Sequence, residues 1–210
     1  MKSITLQPKG FSLIELLVSL SIFTVVITMA VGTLLVLIDA NAKAQNIQSS
    51  LTNILFSLDS MTREIRTGTS YYCNDTAPAN PPSTNQVGVA TVEDCRDNFN
   101  HTHISIVEGG SSLTGGGDPR IGYFYDADYD YGGGVIKGAL LRRIGNESWQ
   151  PLTSSQVDIQ SFGLNVDGTT KGDDFQPSVI LVIEGQAGEL AEIDTTFTLQ
   201  AYIAQRQLDI

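Results

Sequence analysis

The chain has 210 residues, 41% of them hydrophobic, and a formal net charge of -11, which allows one sizeable core in one or two domains. The charge is uneven: residues 1–68 carry 5 Lys/Arg and 4 Asp/Glu, whereas residues 69–210 carry 7 and 19, a net of -12. A surface of that sign repels phosphate backbones, so direct nucleic-acid binding by the second part is not expected.

The first element is an apolar run inside "PKGFSLIELLVSLSIF". From Phe11 to Ile38 there are 28 residues with one charge, Glu15. That exceeds the roughly 20 residues a helix needs to cross a hydrocarbon core. Lys2 and Lys9 precede the run, so the positive-inside tendency keeps the short amino terminus in the cytoplasm and sends the rest outward. "ANAKA" at 40–44 offers small-residue cleavage sites, which would make the run a secretory signal; its apolar length is about twice the 7–15 residues usual for one. A plain single-span anchor leaves Glu15 unexplained. A carboxylate in a membrane helix costs on the order of 2.5–3.5 kcal/mol at the centre, and less near an end. Cleavage between Gly10 and Phe11 would create an α-amino group that could pair with Glu15 of a neighbouring copy.

A short basic leader ending in Gly10, then Phe11, then Glu15 at the fifth position of an apolar helix, resembles the type IV prepilins and type II secretion pseudopilins. "KGFSLIELLVSLSIF" follows that family's processing motif almost position for position. The resemblance implies cleavage after Gly10 by a prepilin peptidase, N-methylation of Phe11, and assembly through Glu15 into a filament on an inner-membrane platform. Residues 1–10 would be the leader and the remaining 200 the mature chain. Many major pilins carry a helix-kinking Pro where this chain has Gly32, a departure that leans toward a minor subunit.

Beyond Ala40 no turn signal appears before Gly68. Ile47, Leu51, Ile54, Leu58, Met61 and Ile65 recur at spacings of 4, 3, 4, 3 and 4, which places them on one helix face. One helix from about Phe11 to Thr67 is therefore expected, roughly 85 Å long at 1.5 Å per residue. Its filament-core part would be residues 11–38 and its amphipathic continuation 39–68.

From residue 69 to 210 the runs "HISIVE" (103–108), "RIGYFYDA" (120–127), "ALLRRI" (139–144), "VDIQSFGLNV" (157–166), "SVILVIEG" (178–185) and "TTFTLQAYIAQRQ" (195–207) read as strands. Gly, Asp and Asn clusters separate them, which predicts an antiparallel, hairpin-rich sheet. The order of "ALLRRI", "WQPL" and "VDIQSFGLNV", with "AQRQ" closing the last strand, is similar to the C-terminal half of J-type minor pseudopilins and their type IV pilus counterparts. The expected fold is α+β: a long N-terminal helix, transmembrane in its first half, packed on an antiparallel β-rich head outside the cytoplasm.

Cys73 and Cys95 are too far apart for a CxxC motif. In an exported chain the default is one disulfide between them, and in a reducing compartment two free thiols. The Pro- and Asn-rich stretch "CNDTAPANPPSTNQ" after Cys73 reads as an irregular loop. Asp126, Asp128 and Asp130 in "DADYDYGGG" are spaced like the start of a calcium loop. Gly falls at position 7 instead of 6, however, and Lys137 stands where a bidentate Glu would close an EF-hand; a solvated acidic hairpin tip is the other reading. His101 and His103 would share a strand face, with no third His or Cys nearby to complete a zinc site. Trp149 is either a partner anchor or a partly buried core residue. No GxSxG, HExxH or phosphate-binding loop occurs, so no catalytic site and no cofactor other than calcium is expected. Expected partners are other pilin or pseudopilin subunits, the peptidase and the assembly platform. An uncleaved single-span adhesin and a domain secreted after cleavage near Ala42 are the competing readings.

Overall fold

The computed structural model describes residues 10–74, 92–96, 98–107, 109, 120–145, 147–170, 175–187 and 195–206. Leader residues 1–9 and most of the Pro-rich loop after Cys73 lie outside them. The chain divides into two compact units, Met1–Gln45 and Asn46–Ile210. Helix α1 runs from Leu13 to Thr67, starting two residues later than the apolar pattern predicts because the Ser12 carbonyl accepts the first helical bond, from the Leu16 amide.

Within the first unit, the side chains of α1 from Leu13 to Ile38 are exposed on all sides. Its hydroxyls are already satisfied. Ser19, Ser21, Thr24, Thr28 and Thr33 each donate to a carbonyl three or four residues earlier, at 2.7–2.9 Å. Hydroxyls bonded in this way leave no donor wanting water, which suits a helix in an apolar solvent.

The second unit is the β-rich part, built on one face of α1. Eight strands are found among the described residues: β1 (Thr69–Asn74), β2 (His103–Val107), β3 (Arg120–Asp130), β4 (Ile136–Ile144), β5 (Gln150–Pro151), β6 (Val157–Asp167), β7 (Ser178–Ala187) and β8 (Thr195–Ala204). They form two antiparallel sheets rather than one, β1-β2-β3-β4-β5 and β6-β7-β8. Six match the alternating runs. β1 and the two-residue β5 are additions that short, mixed sequence does not announce.

The division into two sheets has a local cause. On its outer side β4 pairs with the two-residue β5, whose Pro151 has no N–H, and then bonds the Leu152 amide, through Leu140 O, and the Thr153 hydroxyl before the ladder stops. Beyond it β6 approaches β4 backbone to backbone, where a Cβ at Gly138 would lie 1.8 Å from the Ile159 carbonyl oxygen. Gly138 N–H instead donates to Asp158 Oδ1 at 2.9 Å, and Tyr125 donates its hydroxyl to Ile159 O at 2.8 Å.

Ile54, Met61 and Ile65 of α1 share one core cluster with Ile104, Ile106, Ile121, Tyr123 and Leu140 of the first sheet and Val157, Leu164, Leu181 and Ile183 of the second. A polar clamp sits beside this core. Arg142 on β4 donates from Nε and Nη2 to the two carboxylate oxygens of Glu64 on α1, at 2.9 and 2.7 Å, and the Tyr123 hydroxyl donates to the same carboxylate. Burial, then the hydrogen bond to Glu64, hold the Tyr123 phenol far above its usual range, and the Glu64 bond raises Arg142 further.

The carboxyl end of α1 is tied down as well. Tyr71 donates to Ile65 O at 2.7 Å, Gln205 Nε2 to Gly68 O at 3.0 Å, and the Arg206 amide to Arg66 O at 2.8 Å. The helix's last carbonyls thus find donors in β1 and just after β8, which supplies the acceptor satisfaction a buried helix end requires.

Two outcomes follow for stability, both readable by chemical denaturation of the full chain in detergent. Gly138→Ala should lower stability by about 2 kcal/mol or more, because the added methyl meets backbone rather than a movable side chain. Arg142→Ala should cost roughly 2–3 kcal/mol by leaving the half-buried Glu64 short of two charged hydrogen bonds. Adding Glu64→Ala to it should cost less than the sum of the single changes.

Candidate functional site

The residues around the expected processing junction come first. Gly10, Phe11 and Ser12 precede the helix, and Phe11 is 79% exposed. The Ser12 carbonyl accepts from the amides of Glu15 and Leu16, at 3.1 and 3.2 Å. Ser12 is thus the N-cap, and Glu15 stands in the first turn of α1. A carboxylate there meets the positive end of the helix dipole, worth about 0.3–1 kcal/mol. Among the described residues that carboxylate has no side-chain partner. Helix α1 is long and apolar enough to cross a membrane, and its most apolar stretch is not buried inside the protein.

Cys73 and Cys95 form a disulfide. Cys73 belongs to β1, while Cys95 makes an isolated bridge to Val166 of β6, so the bond fastens the first sheet to the second. Neighbouring side chains hold the same segment. Asp94 accepts from the Thr169 amide and hydroxyl at 2.9 and 2.8 Å, and Arg96 bridges Asp94 and Asp167. Burial alone would raise Asp94, but the bonds from Thr169 and Arg96 outweigh it and leave its pKa lowered.

Asp126, Asp128 and Asp130 lie on the end of β3, not in a loop. Asp126 pairs with Ala139 and Tyr129 with Lys137, so residues 127 and 128 together stand opposite Gly138. This bulge turns Asp126 and Asp130 to opposite faces of the ribbon. Asp126 Oδ1 accepts from the Asp128 amide at 3.1 Å and Asp130 Oδ1 from the Gly132 amide at 2.7 Å, so two of the three carboxylates are engaged in shaping the turn. Among the described residues no group of three or more His, Cys, Asp or Glu is arranged to hold a metal ion. The hairpin closes through Gly132, Gly133 and Gly134, all at positive φ.

On the face of the first sheet turned from α1, Phe124, Ala139 and Leu141 form a second cluster joined by Tyr129, Tyr131 and Trp149. Trp149 is half-buried there. The Glu64–Arg142–Tyr123 clamp was not foreseeable from the sequence: its members are separated by scores of residues, and only the position of Glu64 next to Ile65 on the stripe hints at it.

Residues 7–37 match the prokaryotic N-terminal methylation motif. The methylation motif takes in the Gly10/Phe11 junction, Glu15 and the apolar run to Leu37, and it supports a pilin- or pseudopilin-type subunit, a structural class. With the exposed apolar helix it fits a chain held in a membrane by a single span. No curated protein and no solved structure matches the chain.

Membrane retention is the direct test of the span. The full chain should resist alkaline carbonate extraction from host membranes, and removal of residues 11–38 should release it to the supernatant.

Proposed function

We propose that this chain is a minor pilin or pseudopilin, stored in the inner membrane with its β-rich unit outside the cytoplasm and then assembled at or near the tip of a type IV pilus or type II secretion pseudopilus. The observation that carries the reading is the methylation motif with Gly10, Phe11 and Glu15 in its three diagnostic places. A prepilin peptidase hydrolyses the Gly10–Phe11 peptide bond, freeing the Phe11 amine, which is then N-methylated. The cationic amine of one subunit pairs with the Glu15 carboxylate of its neighbour.

The geometry supports each step. Phe11 is exposed ahead of the helix, where an enzyme can reach the bond before it. Glu15 is held by the rigid first turn, with its carboxylate uncommitted among the described residues. Ion pairing in an apolar surrounding gains far more than in water, and leaving one partner alone there is correspondingly costly. The minor rather than major assignment is supported by Gly32 in place of a kinking Pro. The order of the runs "ALLRRI", "WQPL" and "VDIQSFGLNV", similar to that in J-type subunits, supports it further.

Intact mass and N-terminal sequencing of the protein recovered from host membranes tests the reading. The expected product starts at methylated Phe11. A start at Met1 would instead favour an uncleaved single-span adhesin, and a start at Lys43 or Gln45 a secreted domain. Glu15→Ala should still be processed but enter filaments at least tenfold less; incorporation at the normal rate would overturn the pairing.

A further inference from the structure

His103 is buried to 1% exposure on the face of the first sheet turned from α1, and among the described residues neither ring nitrogen has a hydrogen-bond partner. Trp149 stands edge-on to it, ring centroids 6.1 Å apart, and also packs on Phe124 at 5.8 Å. The Arg143 guanidinium lies over the same indole, 5.2 Å from its centroid. Charged groups reach this ring from two neighbouring strands. Arg120 comes from β3 and donates to Ser105 Oγ on the strand of His103, and Arg143 comes from β4. β1 places Asn74 opposite His103 in register, and no carboxylate among the described residues acts on the ring.

Trp149 is held in place by little backbone. It precedes β5, whose ladder to β4 consists of Leu141↔Pro151 and Arg142↔Gln150 alone. The firmer anchors lie on either side. Gly145 donates to Arg120 O at 2.8 Å, Leu152 to Leu140 O at 2.7 Å, and Tyr131 bonds Thr153 O at 3.0 Å. Between these anchors the backbone is held by the Glu147 amide on Ile144 O at 3.0 Å and by the short β5 ladder, bonds few enough for the segment to open without unfolding the sheet.

We infer that residues 147–151 form an acid-released flap, held shut by the packing of Trp149 on the neutral ring of His103. A proton on the imidazole would be a third cation in a closed, water-poor space already flanked by Arg120 and Arg143. Opening the flap hydrates the ring. This inference does not depend on the filament reading.

The sign follows from linkage. Burial first, then Arg143 and Arg120, push the closed-state His103 down from 6.5 to about 4. A solvated ring returns to about 6.5. The closed form is therefore fully favoured above about 6.5 and loses its advantage as pH falls toward 4. The open-to-closed ratio rises by up to about 300-fold across that window.

Trp149 is the chain's one tryptophan, so its emission reports the flap directly. With the full chain in detergent, emission should change reversibly between pH 6 and 4 while the far-ultraviolet circular dichroism of the sheets holds, and His103→Phe should abolish the change. The same transition in His103→Phe, no transition in the natural chain down to pH 4, or loss of the sheet signal at the same pH would each overturn the inference. Should His103→Phe not fold, proton NMR of the natural chain decides. His103 titrating well below 6.5 together with the Trp149 indole resonance supports the flap, and a His103 that titrates near 6.5 with the indole unmoved refutes it.

Discussion

One face of α1 is the wall on which both sheets of the second unit depend. Ile54, Met61 and Ile65 belong to the same core as the inner residues of β2, β3 and β4 and of β6, β7 and β8. The backbones of the two sheets approach where β4 meets β6 at Gly138, and Tyr125 reaches across to Ile159 O. Without the helix stripe neither sheet would cover its apolar face. The bidentate Arg142–Glu64 pair adds direction to this packing. Apolar contact alone tolerates a slide along the helix, whereas a fork of two N–H groups on one carboxylate does not.

The same reasoning explains which parts of the fold can be read from the sequence. The stripe is legible because helix periodicity is a local property, and six strands are legible because each alternates over several residues. The clamp is not, because Glu64, Tyr123 and Arg142 meet only after the sheet has formed. β1 is hidden by following the helix almost directly and by an irregular register, Thr69 pairing with Val107 and Tyr72 with Ser105, with Ser70 at positive φ between them. At Asp126, Asp128 and Asp130 spacing and placement differ. Their i, i+2, i+4 spacing looks like a ligand set, but the bulge at residues 127 and 128 divides them between two faces, and no local signal in the sequence announces a bulge.

The disulfide illustrates how a covalent bond and a charge network share one task. Cys95 and His101 each meet the edge of β6, in the bridges Cys95↔Val166 and His101↔Leu164. Two isolated bridges are weak pairing for an edge. The Cys73 bond attaches this segment to β1, and the Asp94, Arg96, Asp167 and Thr169 contacts fix its register at the following turn. Closing a loop of this size contributes roughly 3 kcal/mol in the chain-entropy picture. That contribution adds a covalent tie to sheets that otherwise meet through the helix, the shared core and the approach of β4 to β6 at Gly138.

The amino-terminal segment obeys a different rule, because its solvent differs. Every hydroxyl in the helical part of the apolar run is bonded to its own helix, so nothing polar there asks for a partner except Glu15. Placing that one carboxylate in the first turn, not mid-helix, sets its cost near the low end, since the helix dipole offsets part of it and the membrane surface is close. A carboxylate stored in this way is tolerable in a lone subunit and still gains from a cation brought to it. Had it stood at Gly32, storage would cost the full central penalty of about 2.5–3.5 kcal/mol; had it been absent, the neighbouring apolar helices of the proposed filament would have no fixed register, because van der Waals contact between such surfaces distinguishes poorly between one axial offset and the next. In the proposed assembly, the position of Glu15 would reconcile two demands, a low cost while the subunit waits and a specific contact with the amine of a neighbour.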